Sequence, residues 1–149
     1  MANIYGAADN PYLAASYGCV SGADVTLTSS TKVTFITTGT ILTNIRADYY
    51  PLITGLLTVV LGGTAPSAFV IGFQIGSGSS VATFSVEPAL LTNSAELMIP
   101  FCFVGANSAS AWFPTGSTIN ITAQGTGQAS TAKNVGTYAV VQLIKGPNV

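Results

Sequence analysis

The feature of this sequence that most constrains its fold is a recurring alternation of apolar and polar residues. Every second residue is large and apolar between Phe69 and Ile75, and again between Leu97 and Phe103. A period of two is typical of strands with one buried face and does not fit the 3.6-residue period of a helix. Clusters of Gly, Ser, Asn and Pro separate the runs. The pattern predicts an all-β fold, an antiparallel β-sandwich or jelly roll of about eight strands.

The alternation also predicts which residues of the individual strands face the core. Residues 23–38 form one strand pair or one long bent strand, and within residues 50–61 the face that carries Ile53, Leu57 and Val59 is the more apolar one. Pro100 interrupts the run from Leu97 to Phe103 and therefore indicates an edge strand or a bulge, because proline cannot donate a ladder hydrogen bond. Cys102, between two rings of that run, is expected to point away from them and to lie partly exposed or at an interface.

The domain organisation follows from length and from the first residues of the chain. At 149 residues with 48% hydrophobic residues, the chain is expected to fold as one compact domain. Residues 1–22 have no period, and their tyrosines are spread among Ala, Gly, Asn and Pro. We predict an extended N-terminal arm over residues 1–22 rather than a strand, followed by a single sandwich over residues 23–149. The arm packs on its own sandwich or on a neighbour, and its rings favour the neighbour.

The rarity of charge excludes several function classes. Only 6% of the residues are charged, none is His, and the net charge is −1. The chain therefore lacks the usual general base and the commonest neutral metal ligand, and it has no basic field for nucleic acid or an anionic membrane. Ser29 and Lys32 match a Ser-x-x-Lys spacing but stand in a Thr-rich turn or strand rather than at the start of a helix. We predict no enzymatic activity and no cofactor or metal site.

Membrane insertion and secretion are also not expected. Residues 49–86 carry no charge, but Gly62, Gly63 and Pro66 interrupt them, and their β-branched residues favour buried strands over a spanning helix. The first five residues lack the basic start and apolar segment of a secretion signal. Synthesis in a cytoplasm is the simplest expectation. In that reducing compartment Cys19 and Cys102 are expected to be free thiols.

Aromatic side chains outside the alternating runs are the candidate binding residues. They can form a sugar-binding platform, or they can cap the core and anchor a subunit interface, which is the interpretation we favour. Trp112 lies in a loop predicted over residues 105–116. The candidate interface residues are Tyr5, Tyr12, Tyr17, Tyr49, Tyr50, Trp112 and Phe113.

The order of the predicted strands resembles a known family. A Thr-rich opening strand, the run Tyr-Tyr-Pro-Leu-Ile-Thr-Gly at residues 49–55 and a final strand Gly-Thr-Tyr-Ala-Val-Val-Gln-Leu-Ile at 136–144 look like small trimeric jelly rolls of the tumour-necrosis-factor-like kind. The low charge and the Thr/Ser/Gly-rich composition are similar to those of decoration, or cement, proteins on tailed-phage heads. The resemblance covers residues 25–144, rests on the strand pattern and transfers no functional residue.

Two functions are compatible with these observations. The first is a capsid decoration or minor capsid protein of a bacteriophage, a homotrimer that stabilises the virion by contacts with the major capsid protein. Charge-poor surfaces suit this role, because burying them leaves no unpaired ion without water. The alternative is a glycan- or receptor-binding module of a phage tail or fibre, in which Trp112 and the tyrosines hold a sugar.

Overall fold

The protein is an antiparallel β-sandwich, which confirms the predicted fold class. The computed structural model describes residues 13–18, 22–37, 49–78, 80–104 and 118–145. These residues form ten strands and one short 3-10 helix, Pro88–Leu90. The strands are β1 (Leu13–Gly18), β2 (Val25–Leu27), β3 (Val33–Thr37), β4 (Tyr49–Leu61), β5 (Ala68–Ile75), β6 (Ser80–Ser85), β7 (Glu96–Val104), β8 (Ile119–Thr126), β9 (Ser130–Ala132) and β10 (Tyr138–Lys145).

The six-stranded sheet is organised around β4, its longest strand. One edge of β4 pairs with β7. The opposite edge pairs first with β10, from Tyr49 to Leu56, and then with β9, from Val59 to Leu61. Beyond these two, β1 pairs with β10 and β2 pairs with β9. As a result, β9 and β10 follow each other along a single edge of β4.

The second sheet has four strands in the order β3-β8-β5-β6. All its pairs are antiparallel, and its ladder is irregular between Thr34 and Ile36. That irregularity explains why Phe35 and Ile36 are consecutive and both buried, since an extra residue in a strand interrupts the alternation of faces. The prediction for residues 23–38 needs correction here. β2 and β3 are neither a pair nor one bent strand, because they belong to different sheets.

The core lies between the sheets and is formed by the residues that the alternation predicts. Phe73 of β5 and Phe103 of β7 meet across it with ring centroids 5.3 Å apart, and Phe84 of β6 lies 5.7 Å from Phe103. Aromatic pairs at such distances add to the stabilisation gained from burial. The buried apolar side chains of β4, β5 and β7 are Ile53, Leu57, Val59, Leu61, Phe69, Ile71, Phe73, Ile99, Phe101 and Phe103.

The structure also tests the predicted edge strand at Pro100 and the predicted lack of a strand in residues 1–22. β7 pairs with β4 alone among the described strands, so the edge strand indicated by Pro100 is confirmed. The absence of a strand from residues 1–22 is wrong for Leu13–Gly18, which forms β1 and pairs along its whole length with β10. The division of the chain at residue 22 stays a prediction, and residues 1–12 and 19–21 lie outside the described residues.

The uncharged stretch of residues 49–86 forms strands, as its β-branched residues indicate. It contains β4, β5 and β6. In the part of the chain that the structure describes, no helix has the length and apolar character needed to cross a membrane.

Candidate interaction surface

The outward side of the six-stranded sheet is largely apolar where β7, β4 and β10 lie side by side, and it carries one charged residue of β7, Glu96, at the start of that strand. Direct register pairs align β7, β4 and β10, so that Pro100, Leu56 and Tyr138 form one row across the three strands. Paired residues of a sheet project to the same side. We call the following residues the outer face: Met98, Pro100, Cys102, Val104, Leu52, Thr54, Leu56, Tyr138, Val140 and Gln142.

Several large apolar side chains of the outer face are open to water. Met98 is 66% exposed, Val104 56% and Tyr138 49%. Single exposed hydrophobic residues are normal on a soluble protein, whereas a contiguous apolar patch marks a contact surface. Cys102 lies among them as an exposed free thiol, which confirms that it points away from the rings of Phe101 and Phe103.

The outward side of the four-stranded sheet is different in character. Its two central rows consist almost entirely of hydroxyl and amide side chains: Thr34, Thr122, Gly72 and Thr83, then Thr37, Asn120, Gln74 and Ser80. We call these eight residues the polar face. Asn120 Nδ2 donates to the carbonyl oxygen of Gly76 over 2.7 Å, and Thr37 donates to the side-chain oxygen of Asn120. Thr122 at the centre is buried, and the groups around it can hydrogen-bond to water, so the polar face suits water better than the outer face does.

A loop between β9 and β10 interrupts the flat part of the six-stranded sheet. Five residues, 133–137, stand opposite only two residues of β4. The backbone N–H of Lys133 donates to the carbonyl oxygen of Thr58 over 2.8 Å, and the N–H of Thr58 donates to Oγ1 of Thr137 over 3.0 Å. The side chain of Thr137 therefore replaces a backbone ladder partner. We call this segment the 133–137 loop.

The 133–137 loop covers the outward side of β4 at Thr58. A Cβ added at Gly136 would lie 2.8 Å from Oγ1 of Thr58, and Thr58 is buried although it stands opposite the exposed Met98. Gly136 has a φ of 82°, a conformation that favours glycine. The close approach and the left-handed backbone both require glycine at this position.

Asp24, which directly precedes β2, holds the 133–137 loop in place. Its carboxylate forms an ion pair with the ammonium of Lys133 and accepts the backbone N–H of Asn134 over 2.8 Å. The hydrogen bond from Lys133, and then the one from Asn134, hold the pKa of Asp24 below its ordinary value. The next residue, Val135, is 83% exposed. The contacts of Asp24 thus fix the backbone of the loop, and the loop exposes the apolar side chain of Val135.

The aromatic candidates from the sequence are only partly located. Tyr17 lies in β1 opposite Ala139, and Tyr49 and Tyr50 lie in β4 opposite Lys145 and Ile144. The backbone places Tyr17 and the Tyr49–Tyr50 pair toward opposite ends of β10. Their role at an interface stays a prediction. The remaining candidates, Tyr5, Tyr12, Trp112 and Phe113, lie outside the described residues.

Sequence reasoning missed Met98, Tyr138 and Val135. The first two stand at outward positions of alternating strands, so the alternation contains the signal for them. What it does not contain is the alignment of β7, β4 and β10, which arises from pairing between distant parts of the chain. Val135 has no periodic signal, because it lies in a loop.

Two of the chemical groups considered in the sequence, the Ser29–Lys32 spacing and a possible metal cluster, can be compared with the described part of the chain. Lys32 Nζ donates to Oγ of Ser80 over 2.7 Å, so it is engaged with another strand rather than with Ser29. Among the residues that the structure describes, no three His, Cys, Asp or Glu side chains come together as metal ligands would. The surface that distinguishes this molecule is therefore the outer face with the adjoining 133–137 loop.

The two antiparallel sheets form a sandwich whose fold is similar to that of tumour-necrosis-factor-like jelly rolls. The structure of Eiger TNF from S. frugiperda is similar over 94% of this chain and 97% of that chain, with a TM-score of 0.55 and 8% sequence identity. A VP2 subviral particle of infectious bursal disease virus is similar with a TM-score of 0.51 and 18% identity, over 93% of this chain and 34% of that chain.

A structure of the Gt strain of the same virus gives a TM-score of 0.51 at 17% identity, over 93% of this chain and 33% of that chain. The chain thus spans about a third of the viral proteins it matches. At these identities the similarity shows the fold. No family model matches the sequence, and no curated protein matches it.

Proposed function

We propose that this protein is a structural subunit of a virus particle, a capsid decoration or minor capsid protein of a tailed phage. It stabilises the head by packing its outer face against neighbouring subunits. The observation that carries the proposal is the outer face itself, ten aligned residues without a charge. Covering apolar surface of this kind is favourable by roughly 25 cal/mol per Å² removed from water.

The distribution of charge supports assembly over binding of a polar ligand. Burying an unpaired ion costs several kcal/mol by rough estimate, and the ten residues of the outer face carry none, since Glu96 lies beyond them at the end of β7. Cores of subunit interfaces are depleted of charged residues in the same way. With a net charge of −1, two copies also repel each other little.

The fold and the surface support a particular choice of partners. A closed symmetric homo-oligomer is the commonest assembly of a single chain, and the tumour-necrosis-factor-like fold favours a trimer. A jelly roll of this kind also forms part of the VP2 chain in a subviral particle. We therefore place the subunit on the capsid surface, in contact with the major capsid protein and synthesised in the host cytoplasm.

The alternative, a glycan- or receptor-binding module of a tail or fibre, depends on a platform of Trp112, Tyr49 and Tyr50. The outer face adds one ring, that of Tyr138, and the polar face has none. Sugar platforms need rings on which the apolar side of a sugar stacks. The described surfaces therefore favour assembly.

The first test places a charge on the outer face. Tyr138→Glu is expected to shift the purified protein from oligomer to monomer, because the carboxylate would be buried without a partner. Val81→Glu is the matched control, since Val81 is 39% exposed on β6 of the other sheet. Mass in solution is measured by analytical ultracentrifugation, and an unchanged oligomer of the Tyr138 variant contradicts the proposal.

Cys102 supplies a second readout at the same surface. In a Cys19→Ser background, its reaction with a thiol reagent is expected to be fast in dilute protein and at least tenfold slower in the oligomer and on phage heads. Tight binding to a glycan array by a monomer with no affinity for empty heads is the result that would replace this proposal with the alternative.

A further inference from the structure

We propose that the 133–137 loop is the contact that fixes one copy of this chain to the next, with Val135 docking against the second copy. This inference rests on the proposed function, since it specifies how the outer face finds its partner. It assigns a role to a segment that the strand pattern leaves unexplained.

The loop is held in one conformation by contacts on both sides. Asp24 binds its first half through Lys133 and Asn134, and Thr137 binds the backbone of Thr58. Gly136 rests directly on Thr58. A segment that is ordered before it binds loses less conformational entropy on binding. These contacts make the loop suitable as a docking element.

A valine such as Val135 is unusual in a loop that is exposed only to water. Surface turns are usually made of Gly, Asn, Asp and Ser, yet this position carries a β-branched apolar side chain that is 83% exposed. A valine has few rotamers to lose, so burying it on a partner gains apolar contact at little entropic cost. The side chain fits an apolar depression on another molecule.

The charge pattern favours a second copy of this chain as that molecule. Lys133, the charged residue of the loop, is already paired with Asp24. The loop and the outer face together therefore present an apolar, charge-poor surface, bordered by Glu96 of β7, and such a surface is best matched by another charge-poor surface. The outer face of a second copy is such a surface, and it is present whenever this protein is made.

The loop enlarges the surface that the outer face offers to a partner. Ten positions of a sheet span about 330 Å² of its plane, at about 4.8 Å between strands and 6.8 Å between residues on one side. The loop stands beside this flat part and supplies further contact.

The test compares substitutions at Val135 in the purified full-length protein. Val135→Glu is expected to raise the dissociation constant for self-association at least tenfold, and Val135→Ala about threefold, with Val81→Glu unchanged as the control. Asp24→Asn is expected to weaken association several-fold without altering the apolar surface. Self-association is measured by sedimentation over a dilution series, and circular dichroism with the unfolding midpoint confirms that each variant is folded.

Two outcomes separate this inference from the proposed function. If Tyr138→Glu gives a monomer while Val135→Glu associates like the wild type, the loop contact is wrong and the proposed function stands. The second measurement uses Val135→Cys, labelled with a polarity-sensitive fluorophore in a Cys19→Ser, Cys102→Ser background. A shift in emission on concentrating the pure protein supports docking on a second copy. A shift that needs added phage heads assigns the contact to another capsid protein and overturns the inference.

Discussion

Gly55 shows how a single residue determines the packing of the six-stranded sheet. It stands opposite Phe101 on the core side of β4, and a Cβ at this position would lie 2.4 Å from the Phe101 ring and 2.3 Å from the carbonyl oxygen of Tyr138. The ring occupies the space that the missing side chain leaves. Backbone and ring cannot both move away, because each is held by its own sheet contacts.

We therefore expect Gly55→Ala to destabilise the protein by about 3 kcal/mol, near the upper end of the overpacking cost in protein cores. Gly63→Ala is the control, since nothing lies within 4 Å of a Cβ there, and its effect should stay within about 0.5 kcal/mol. Urea unfolding of both variants is the measurement. Equal midpoints for the two would show that the ring adapts to the added methyl group.

At the same scale, the sequence predicted core residues well and special positions poorly. Leu57 and Phe73 follow from alternation alone. Ile36 does not, because an irregularity in the ladder after Thr34 turns a second consecutive residue inward. Such a shift depends on the pairing of β3 with β8 and leaves no mark in the local pattern.

Among the elements, β1 departs most from the expectation. Its sequence, Leu-Ala-Ala-Ser-Tyr-Gly, has small residues and no clear apolar face, so periodicity gives no strand. It forms nevertheless, because β10 offers it an open edge over six residue pairs. Long-range pairing, rather than local propensity, decides this element.

Removing β1 is expected to destabilise the sandwich. Deletion of residues 1–18 exposes the edge of β10, and each lost hydrogen bond of the ladder contributes about 1 kcal/mol. Deletion of residues 1–12, which keeps β1, is the control. The urea concentration at the unfolding midpoint is measured for both proteins. We expect a lower midpoint for the protein that lacks residues 1–18. If the two unfold together, β1 contributes little to stability.

At the scale of the whole molecule, the sequence predicts a charge-poor surface but not its division into two unlike faces. The polar face and the outer face have the same lack of charge. They differ in hydrogen-bonding capacity, which becomes visible only when the register aligns Thr122 with Thr83 through Gly72, and Leu56 with Tyr138 and Pro100. Amino-acid composition contains no information about which residues the strand pairing brings side by side.

Assembly through the outer face makes a prediction about salt. Because no ions face each other there, raising NaCl from about 0.05 to 0.5 M is expected to change the association constant by less than about twofold. Ammonium sulfate is expected to strengthen it, since excluded salts favour burial of apolar surface. Sedimentation at each salt concentration measures both effects. A tenfold weakening in NaCl would indicate charged contacts instead.

The edge position of Pro100 has a consequence for a protein made in large amounts. β7 pairs with β4 alone among the described strands, and open edges of this kind recruit strands from other copies and grow into fibrils. A proline in an edge strand keeps the ladder to its neighbour when its nitrogen faces the free side, and there it removes a donor. Growth by strand addition is blocked at that point. At high concentration, copies therefore associate through their faces, which gives oligomers of a fixed number of subunits. They do not associate through their edges, which would give fibrils that keep growing.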